Sequence, residues 1–110
     1  MLTTSVPDTI FRQRIRDTIR ATEPSAECIL FGSRARGDAR EDSDWDVLVL
    51  VEGEVTDARK RRIRYTLYDL EFEVGMVLAS IIKSKEQWYK EATFYKTWLA
   101  QNVEQEGIIL

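Results

Sequence analysis

Apolar positions along the chain follow two patterns, which predict elements in the order helix, strand, strand, helix, strand, helix, helix. Apolar residues three or four positions apart predict amphipathic helices, because such positions share one helical face. Short unbroken aliphatic runs predict buried strands, and the strongest is Val47-Leu48-Val49-Leu50-Val51. The predicted helices cover 6–21, 57–74, a segment that opens at Ser84 and contains Trp88 and Tyr89, and 93–106, and the predicted strands cover 27–31, 44–51 and 76–82.

Residues typical of helix ends agree with these boundaries, because each stands next to the first or last residue of a periodic segment. They are Ser5 with Asp8 and Ser84 with Gln87, which have capping-box spacing, and Gly75 and Gly107, which follow predicted C-termini.

The order of these elements indicates an α+β fold. The link between the first two strands has about a dozen residues and little room for a crossover helix. We therefore expect a small mixed β-sheet with helices packed on one face. A chain of 110 residues is expected to form a single domain, 1–110, around one modest core.

Composition narrows the chemistry that the chain can perform. It contains no histidine, which excludes His-dependent mechanisms and a Cys/His zinc site. Its single cysteine, Cys28, lies in an apolar run and is interpreted as a buried thiol. The net charge of −3 gives no global attraction to nucleic acid or anionic membranes. No stretch has the length of a membrane span or the pattern of a signal peptide, so a cytoplasmic location is expected.

A glycine-serine turn follows the first predicted strand. In Leu30-Phe31-Gly32-Ser33-Arg34-Ala35-Arg36-Gly37 the turn can open a short helix, whose free N–H groups and positive dipole end favour a phosphate. Gly32 allows close approach of the backbone and Ser33 adds a hydroxyl. Arg34 and Arg36 add charges that can grip a phosphate with two hydrogen bonds each.

Two aspartates lie where the second predicted strand begins. Strand side chains alternate between faces, so Asp44 and Asp46 point the same way while Trp45 points to the opposite face. A pair of carboxylates on one face can hold one or two magnesium ions. Two such ions about 3.5–4 Å apart stabilise the attacking and leaving oxygens of a phosphoryl displacement. Trp45 is interpreted as a core residue rather than a base-stacking platform.

Two other phosphate or metal motifs lack residues that they require. The GxxxxG spacing of Gly32 and Gly37 suggests a P-loop, but Asp38 stands where that motif requires lysine. The acidic run that begins at Asp42 resembles an EF-hand loop, but Val47 stands where that loop needs glycine.

The turn and the aspartate pair together resemble the signature of the DNA polymerase beta-like nucleotidyltransferase superfamily. Gly32-Ser33, ten intervening residues and Asp44-Trp45-Asp46 carry the resemblance, and the run GSRARGDAREDSDWDVLVL is similar to the minimal nucleotidyltransferases of prokaryotes. The resemblance implies that Gly32 and Ser33 bind a triphosphate, that Arg36 and Gly37 continue this motif, and that Asp44 and Asp46 bind the metal. It also implies transfer of a nucleoside monophosphate from a nucleoside triphosphate, with ATP the expected donor, to an acceptor hydroxyl with release of pyrophosphate.

One element of that family pattern is missing. Many members carry a third carboxylate on the strand after the long helix, whereas the predicted strand 76–82 contains no acid. Ser80 is placed at the expected position, and a serine cannot serve as an equivalent base at neutral pH. The nearest upstream acids are Glu71 and Glu73. Glu73 is the candidate base or ligand, and the alternative is a solvated helix face. A base could also come from a partner or the substrate, or the site could bind nucleotide without turnover.

Two surface features suggest partners. Five basic residues between Arg59 and Arg64 form either a solvated helix face or a docking site for RNA or an acidic protein. The C-terminal part is rich in aromatic residues, most of which are expected in the core and some in an interface. The short chain, the missing third acid and the aromatic C-terminal part support a second hypothesis, a partner-binding module. The family resemblance implies its form, a nucleotide-binding antitoxin paired with a HEPN-type protein, with a homo-oligomer as another possibility. The aromatic residues are Trp88, Tyr89, Phe94, Tyr95 and Trp98.

Overall fold

A computed structural model describes residues 8–90, 92–93 and 97–110. None of the helices within these ranges has the length and apolar character needed to cross a bilayer. The elements are α1 (Asp8–Thr22), β1 (Glu27–Phe31), α2 (Ser33–Arg36), β2 (Trp45–Val51), α3 (Asp57–Val74), β3 (Leu78–Ser84), α4 (Lys85–Lys90), α5 (Trp98–Glu106) and β4 (Ile108–Ile109).

The strands form one mixed sheet in the order β3-β2-β1-β4. The β1 and β2 strands are antiparallel, as the short link between them requires, and α3 carries the chain across to β3, which is parallel to β2. The β4 strand pairs antiparallel with the other edge of β1. The mixed sheet and the α+β class are therefore confirmed.

The larger hydrophobic core lies on the face of the sheet covered by α1 and α3. Trp45 is fully buried there, its ring meets that of Phe11 edge-on at 4.8 Å, and its Nε1–H donates to the Sδ of Met76 at 3.2 Å. Cys28 is also buried, which raises the pKa of its thiol to about 11 because the thiolate would lose its hydration. Both residues are in the core, as predicted.

Helices cover the opposite face as well, which corrects the expectation that they pack on one face. Leu48 and Leu50 of β2 point to this side and pack with Trp88 of α4 and with Ala100 and Val103 of α5. The unbroken aliphatic run of β2 is explained by this arrangement, because a central strand covered on both faces has no solvent-facing positions to fill with polar residues.

Most boundaries agree with the sequence analysis. The α3 helix has the predicted bounds and ends with Gly75 at its C-cap, and Gln87 N–H donates to Ser84 Oγ at 3.1 Å. The last helix begins later than predicted, at Trp98, because Thr97 acts as its N-cap and accepts from Ala100 N–H. The proposed cap at Ser5 and the aromatic residues Phe94 and Tyr95 lie outside the described residues.

The basic run at the front of α3 is partly used inside the fold. Arg59 is bonded through Nε and Nη2 to both carboxylate oxygens of the buried Glu23, at 2.9 and 2.7 Å, and donates to the carbonyls of Glu52 and Glu54. Arg61 and Arg62 are exposed. Arg59 therefore stabilises the junction between the end of α1 and the start of α3.

Candidate functional site

Register pairing places the glycine-serine turn directly beside the second aspartate. Phe31, the last residue of β1, is the cross-strand partner of Asp46 on β2. Gly32 comes next and lies so close that a Cβ atom on it would be 3.1 Å from Asp46 Cγ and would overlap Oδ2. The turn and the acid therefore meet across one pocket, as the sequence analysis required.

A cavity of about 590 Å³ opens over this contact. Its floor comes from the ends of β1 and β2, one wall from β3 and the other from α5. The residues that line it are Phe31, Gly32, Ser33, Arg36, Asp46, Ala79, Ser80, Ile81, Trp98, Leu99, Asn102 and Glu106.

Asp46 is the half-buried member of the aspartate pair, and Asp44 is exposed just before β2 begins. Loss of hydration and then the negative charge of Asp44 raise the pKa of Asp46, Arg36 opposes this rise, and Glu106 adds to it. The contribution of Asp44 shows that the two carboxylates lie near each other, and of the two only Asp46 lines the cavity.

The turn itself is a short structure built around Gly32. Gly32 has φ 77° and ψ −161°, and its carbonyl accepts from the N–H groups of Ala35 and Arg36 at 3.0 Å. This closes α2, which has only four residues. So short a helix has a small dipole, and the attraction for an anion therefore depends mainly on individual donors such as the Gly32 N–H and the Arg36 guanidinium.

These two donors already have an acidic partner that the sequence analysis missed. Gly32 N–H donates to Glu106 Oε1 at 2.9 Å, and Arg36 Nη1 donates to Oε1 and Oε2 at 3.2 and 3.0 Å. The bonds to Glu106 and then to Asp38 raise the pKa of Arg36. Glu106 is 74 residues from Gly32 in the chain, and no local pattern relates them.

Arg34 lies apart from the other predicted nucleotide-binding residues. Its guanidinium donates to the carbonyls of Ser43 and Glu41 at 3.0 and 3.1 Å and stacks over the ring of Trp45 at 5.0 Å. It therefore holds the loop before β2 against the sheet and does not line the cavity.

Glu73, the candidate base or metal ligand, also lies apart from the site. It is exposed near the end of α3, where it forms an ion pair with Arg14 of α1. That surface belongs to the face of the sheet opposite α5, so the assignment of Glu73 to the site was wrong. The solvated-face interpretation, which was the alternative, is correct.

The residue of β3 that stands beside Asp46 is Ala79, one position before Ser80, where the third carboxylate was expected. Asp46 pairs with Ala79 in the parallel register, while Ser80 pairs with Val47. Since paired residues point to the same face, Ala79 and not Ser80 stands beside Asp46. No acid occurs on β3, in agreement with the sequence analysis.

The described residues contain no group of three or more acidic, cysteine or histidine side chains placed to hold a metal. A magnesium ion needs fewer, because it commonly binds through one or two carboxylates with substrate phosphates and water completing its shell. Two neighbouring carboxylates fit such an ion, since a cation would relieve the repulsion by Asp44 that helps to raise the pKa of Asp46.

Comparisons with known proteins bear on the family and the fold of the chain. A search of curated proteins gave no significant match. One similar solved structure, assigned provisionally to the minimal nucleotidyltransferases, is 27% identical with a TM-score of 0.60 and covers 98% of this chain and 100% of its own. The crystal structure of a toxin–antitoxin with AMP-PNP has the same fold at 19% identity and a TM-score of 0.60, covering 88% of this chain and 69% of its own. Residues 12–99 match the nucleotidyltransferase domain family. The chain therefore belongs to the nucleotidyltransferase domain family.

Proposed function

We propose that the protein is a magnesium-dependent enzyme that moves a nucleoside monophosphate from a nucleoside triphosphate, with ATP the expected donor, to an acceptor hydroxyl. Pyrophosphate leaves as the α-phosphorus forms its bond to the acceptor oxygen and its bond to the β-phosphate oxygen breaks. The observation that carries the proposal is the contact between Gly32 and Asp46 in a single cavity, with Arg36 at its rim.

The phosphate end of the nucleotide would bind at the turn. The Gly32 N–H and the Arg36 guanidinium supply charge-assisted donors, and the Ser33 hydroxyl lies in the same cavity wall. Asp44 and Asp46 would hold magnesium, which when bound neutralises charge on the triphosphate and stabilises the oxygens that gain charge during transfer.

The nucleoside end would bind along α5. Trp98, Asn102 and Glu106 are four residues apart, so they share one face of that helix, and all three line the cavity. Trp98 is 78% exposed, which leaves its ring available to stack on a base. Asn102 has both a donor and an acceptor with which to read the edge of a base or a ribose hydroxyl.

Acceptor activation is the step for which β3 supplies no carboxylate. We propose that the acceptor, or the protein that presents it, supplies the base, because Ala79 and Ser80 cannot take a proton at neutral pH. Slow turnover with water or a generic alcohol would follow, and faster transfer with the cognate acceptor.

The test is transfer of label from α-³²P-ATP in the presence of magnesium, with and without a candidate acceptor. Asp46→Asn and Asp44→Asn should each abolish transfer and leave the thermal unfolding midpoint within a few degrees. Asp42→Asn is the matched control, since Asp42 is exposed in the preceding loop and outside the cavity, and it should transfer normally. Persistent transfer in both site variants would overturn the assignment of the metal-binding pair.

A second function, binding of a protein partner, is favoured by an apolar stripe on α3. The stripe consists of Tyr65, Tyr68 and Phe72, whose exposed fractions are 63%, 54% and 93%. Val77, the residue before β3, is also exposed and lies beside Tyr68 and Phe72. Monomers rarely leave such a contiguous patch uncovered. We propose a HEPN-type protein as the partner, with a second copy of this chain as the alternative, and the fold shared with a toxin–antitoxin protein supports it.

Co-expression with the product of the neighbouring gene tests this second function. Stable co-purification that is lost on Phe72→Ser would support it, and self-association lost on the same substitution would indicate the second copy. A chain that is monomeric in light scattering and emerges alone from co-expression would contradict it.

A further inference from the structure

The carboxylate of Glu106 accepts hydrogen bonds from the two main donors of the candidate site, the Gly32 N–H and the Arg36 guanidinium. Its side chain is only 15% exposed, and its two oxygens take three hydrogen bonds from Gly32 N–H and Arg36 Nη1. Glu106 is the last residue of α5, so this contact joins the C-terminal helix to the turn after β1. These donors are also the ones proposed to grip the triphosphate.

A carboxylate and a phosphate cannot use these donors at the same time. Each presents anionic oxygens to the same N–H groups, and a phosphate within hydrogen-bond distance of Gly32 N–H would overlap Glu106 Oε1 at 2.9 Å. Electrostatic repulsion between Glu106 and the triphosphate adds to the steric conflict. The negative charge of Glu106 reaches into the cavity, since it contributes to the raised pKa of Asp46. A triphosphate that entered beside an unmoved Glu106 would therefore be repelled.

The surroundings allow Glu106 to leave while the turn keeps its shape. Arg36 is half exposed and has a second acidic partner, Asp38, bonded through Nε at 3.2 Å. The turn is closed by its own backbone bonds from Ala35 and Arg36 to the Gly32 carbonyl. Glu106 lies at the end of its helix, where a change of side-chain rotamer moves the carboxylate without breaking helical bonds.

We propose that Glu106 is an internal anion that holds the phosphate site in a self-occupied state, and that a nucleoside triphosphate binds only by displacing it. This inference rests on the proposed function, since it concerns the same site. Displacement is favourable because a triphosphate carries several charges and more acceptor oxygens than one carboxylate, and magnesium adds to its hold. The apparent affinity for nucleotide then equals the intrinsic affinity multiplied by the fraction of molecules in which Glu106 has left the site.

Isothermal titration with inorganic tripolyphosphate, without and with magnesium, tests the proposal directly. Glu106→Gln keeps the size of the side chain and removes its charge, and Glu106→Ala frees both donors. Each variant should bind tripolyphosphate about 10-fold tighter or more, the change expected when one charge-assisted hydrogen bond no longer competes. Glu104→Gln is the matched control, since Glu104 is exposed on the same helix and outside the cavity, and its affinity should stay at the wild-type value.

The amide resonance of Gly32 gives a second readout that does not depend on activity. The chain has five glycines, so this signal is readily assigned in a ¹H–¹⁵N spectrum. It should shift in Glu106→Gln without ligand, and shift again when tripolyphosphate is added to the wild-type protein. Unchanged or weaker tripolyphosphate binding in both Glu106 variants would overturn the proposal, and would indicate that Glu106 supports the site rather than competes for it.

Failure of this inference is distinguishable from failure of the proposed function. If the wild-type protein transfers label and the Glu106 variants bind tripolyphosphate no tighter, only the internal-anion proposal falls. If affinity rises in the variants and no transfer is found with any acceptor, the internal anion stands and the transferase proposal falls. If neither tripolyphosphate nor ATP binds to any of these proteins, both fall.

Discussion

Gly32→Ala perturbs the contact between the turn and Asp46 by a single carbon atom. Gly32 has φ 77° and ψ −161°, a combination that is essentially restricted to glycine, so an alanine there costs about 1–3 kcal/mol of folding free energy. The added Cβ would also overlap Asp46 Oδ2, with Cγ at 3.1 Å. Rotating the Asp46 side chain away from its preferred rotamer costs roughly 0.5–1.5 kcal/mol more.

Gly37→Ala is the matched control, because it introduces the same carbon at a left-handed residue of the same turn. Gly37 has φ 86° and ψ 10°, and its added Cβ would meet no atom within 4 Å. Its cost is therefore backbone strain alone, about 1–2 kcal/mol. Gly32→Ala should be destabilised by roughly 1.5–4.5 kcal/mol in total, the sum of its strain and rotamer costs.

Urea unfolding followed by circular dichroism gives the two stabilities, and titration with a non-hydrolysable triphosphate and magnesium gives the affinities. Gly37→Ala should bind nucleotide nearly as the wild type does, whereas Gly32→Ala should lose magnesium-dependent binding because Asp46 is displaced. Equal destabilisation of the two variants, together with normal binding by Gly32→Ala, would refute the close contact on which the site depends.

Three further predictions concern the rest of the molecule. Trp98→Ala should weaken ATP binding and leave tripolyphosphate binding unchanged, whereas Phe72→Ala on the remote α3 surface should change neither. Glu23→Gln should cost roughly 1–3 kcal/mol, because it leaves the Arg59 guanidinium without its charged partner. The bond to Arg59 lowers the pKa of Glu23, so the stability that this ion pair contributes is present above the ordinary glutamate pKa and is lost as pH falls through the folded-state pKa. Urea unfolding of the wild type and of Glu23→Gln from pH 7 to 3 should show the difference between their unfolding free energies shrink. Cys28, with a thiol pKa of about 11 and a buried side chain, should react with iodoacetamide at pH 8 only after denaturation, and rapid labelling of the native protein would contradict its burial.

Elements determined by neighbouring residues could be predicted from the sequence. The bounds of α3 follow from apolar spacing and a terminal glycine, and β1 follows from its aliphatic run. The closeness of Gly32 to Asp46 was also predictable, since a short link between two antiparallel strands brings the end of the first beside the start of the second. Each of these inferences used residues of one element or of two strands joined by one short link.

Contacts that depend on the packing of distant elements could not be predicted. Glu106 reaches Gly32 only because α5 packs on the second face of the sheet, a face that the sequence analysis left uncovered. Glu73 was assigned to the site because it is close to β3 in the chain, yet the α3 helix turns it toward Arg14. Arg34 was assigned to phosphate by its position in the motif, but Trp45 and a loop carbonyl offer it a nearer partner.

The position of α5 determines whether the site is complete. Ala100 and Val103 bury one face of this helix against Leu48 and Leu50, and the adjacent face carries Trp98 and the rest of the cavity wall. The strand that supplies Asp46 therefore also supplies the apolar surface on which α5 rests. This one helix contributes both the Glu106 carboxylate and the Trp98 ring that is proposed to stack on the base. A nucleotide that displaces Glu106 must therefore contact Trp98 while the packing of α5 on the sheet stays intact. Binding of nucleotide should accordingly depend on the hydrophobic cluster beneath α5 as well as on the charged groups above it.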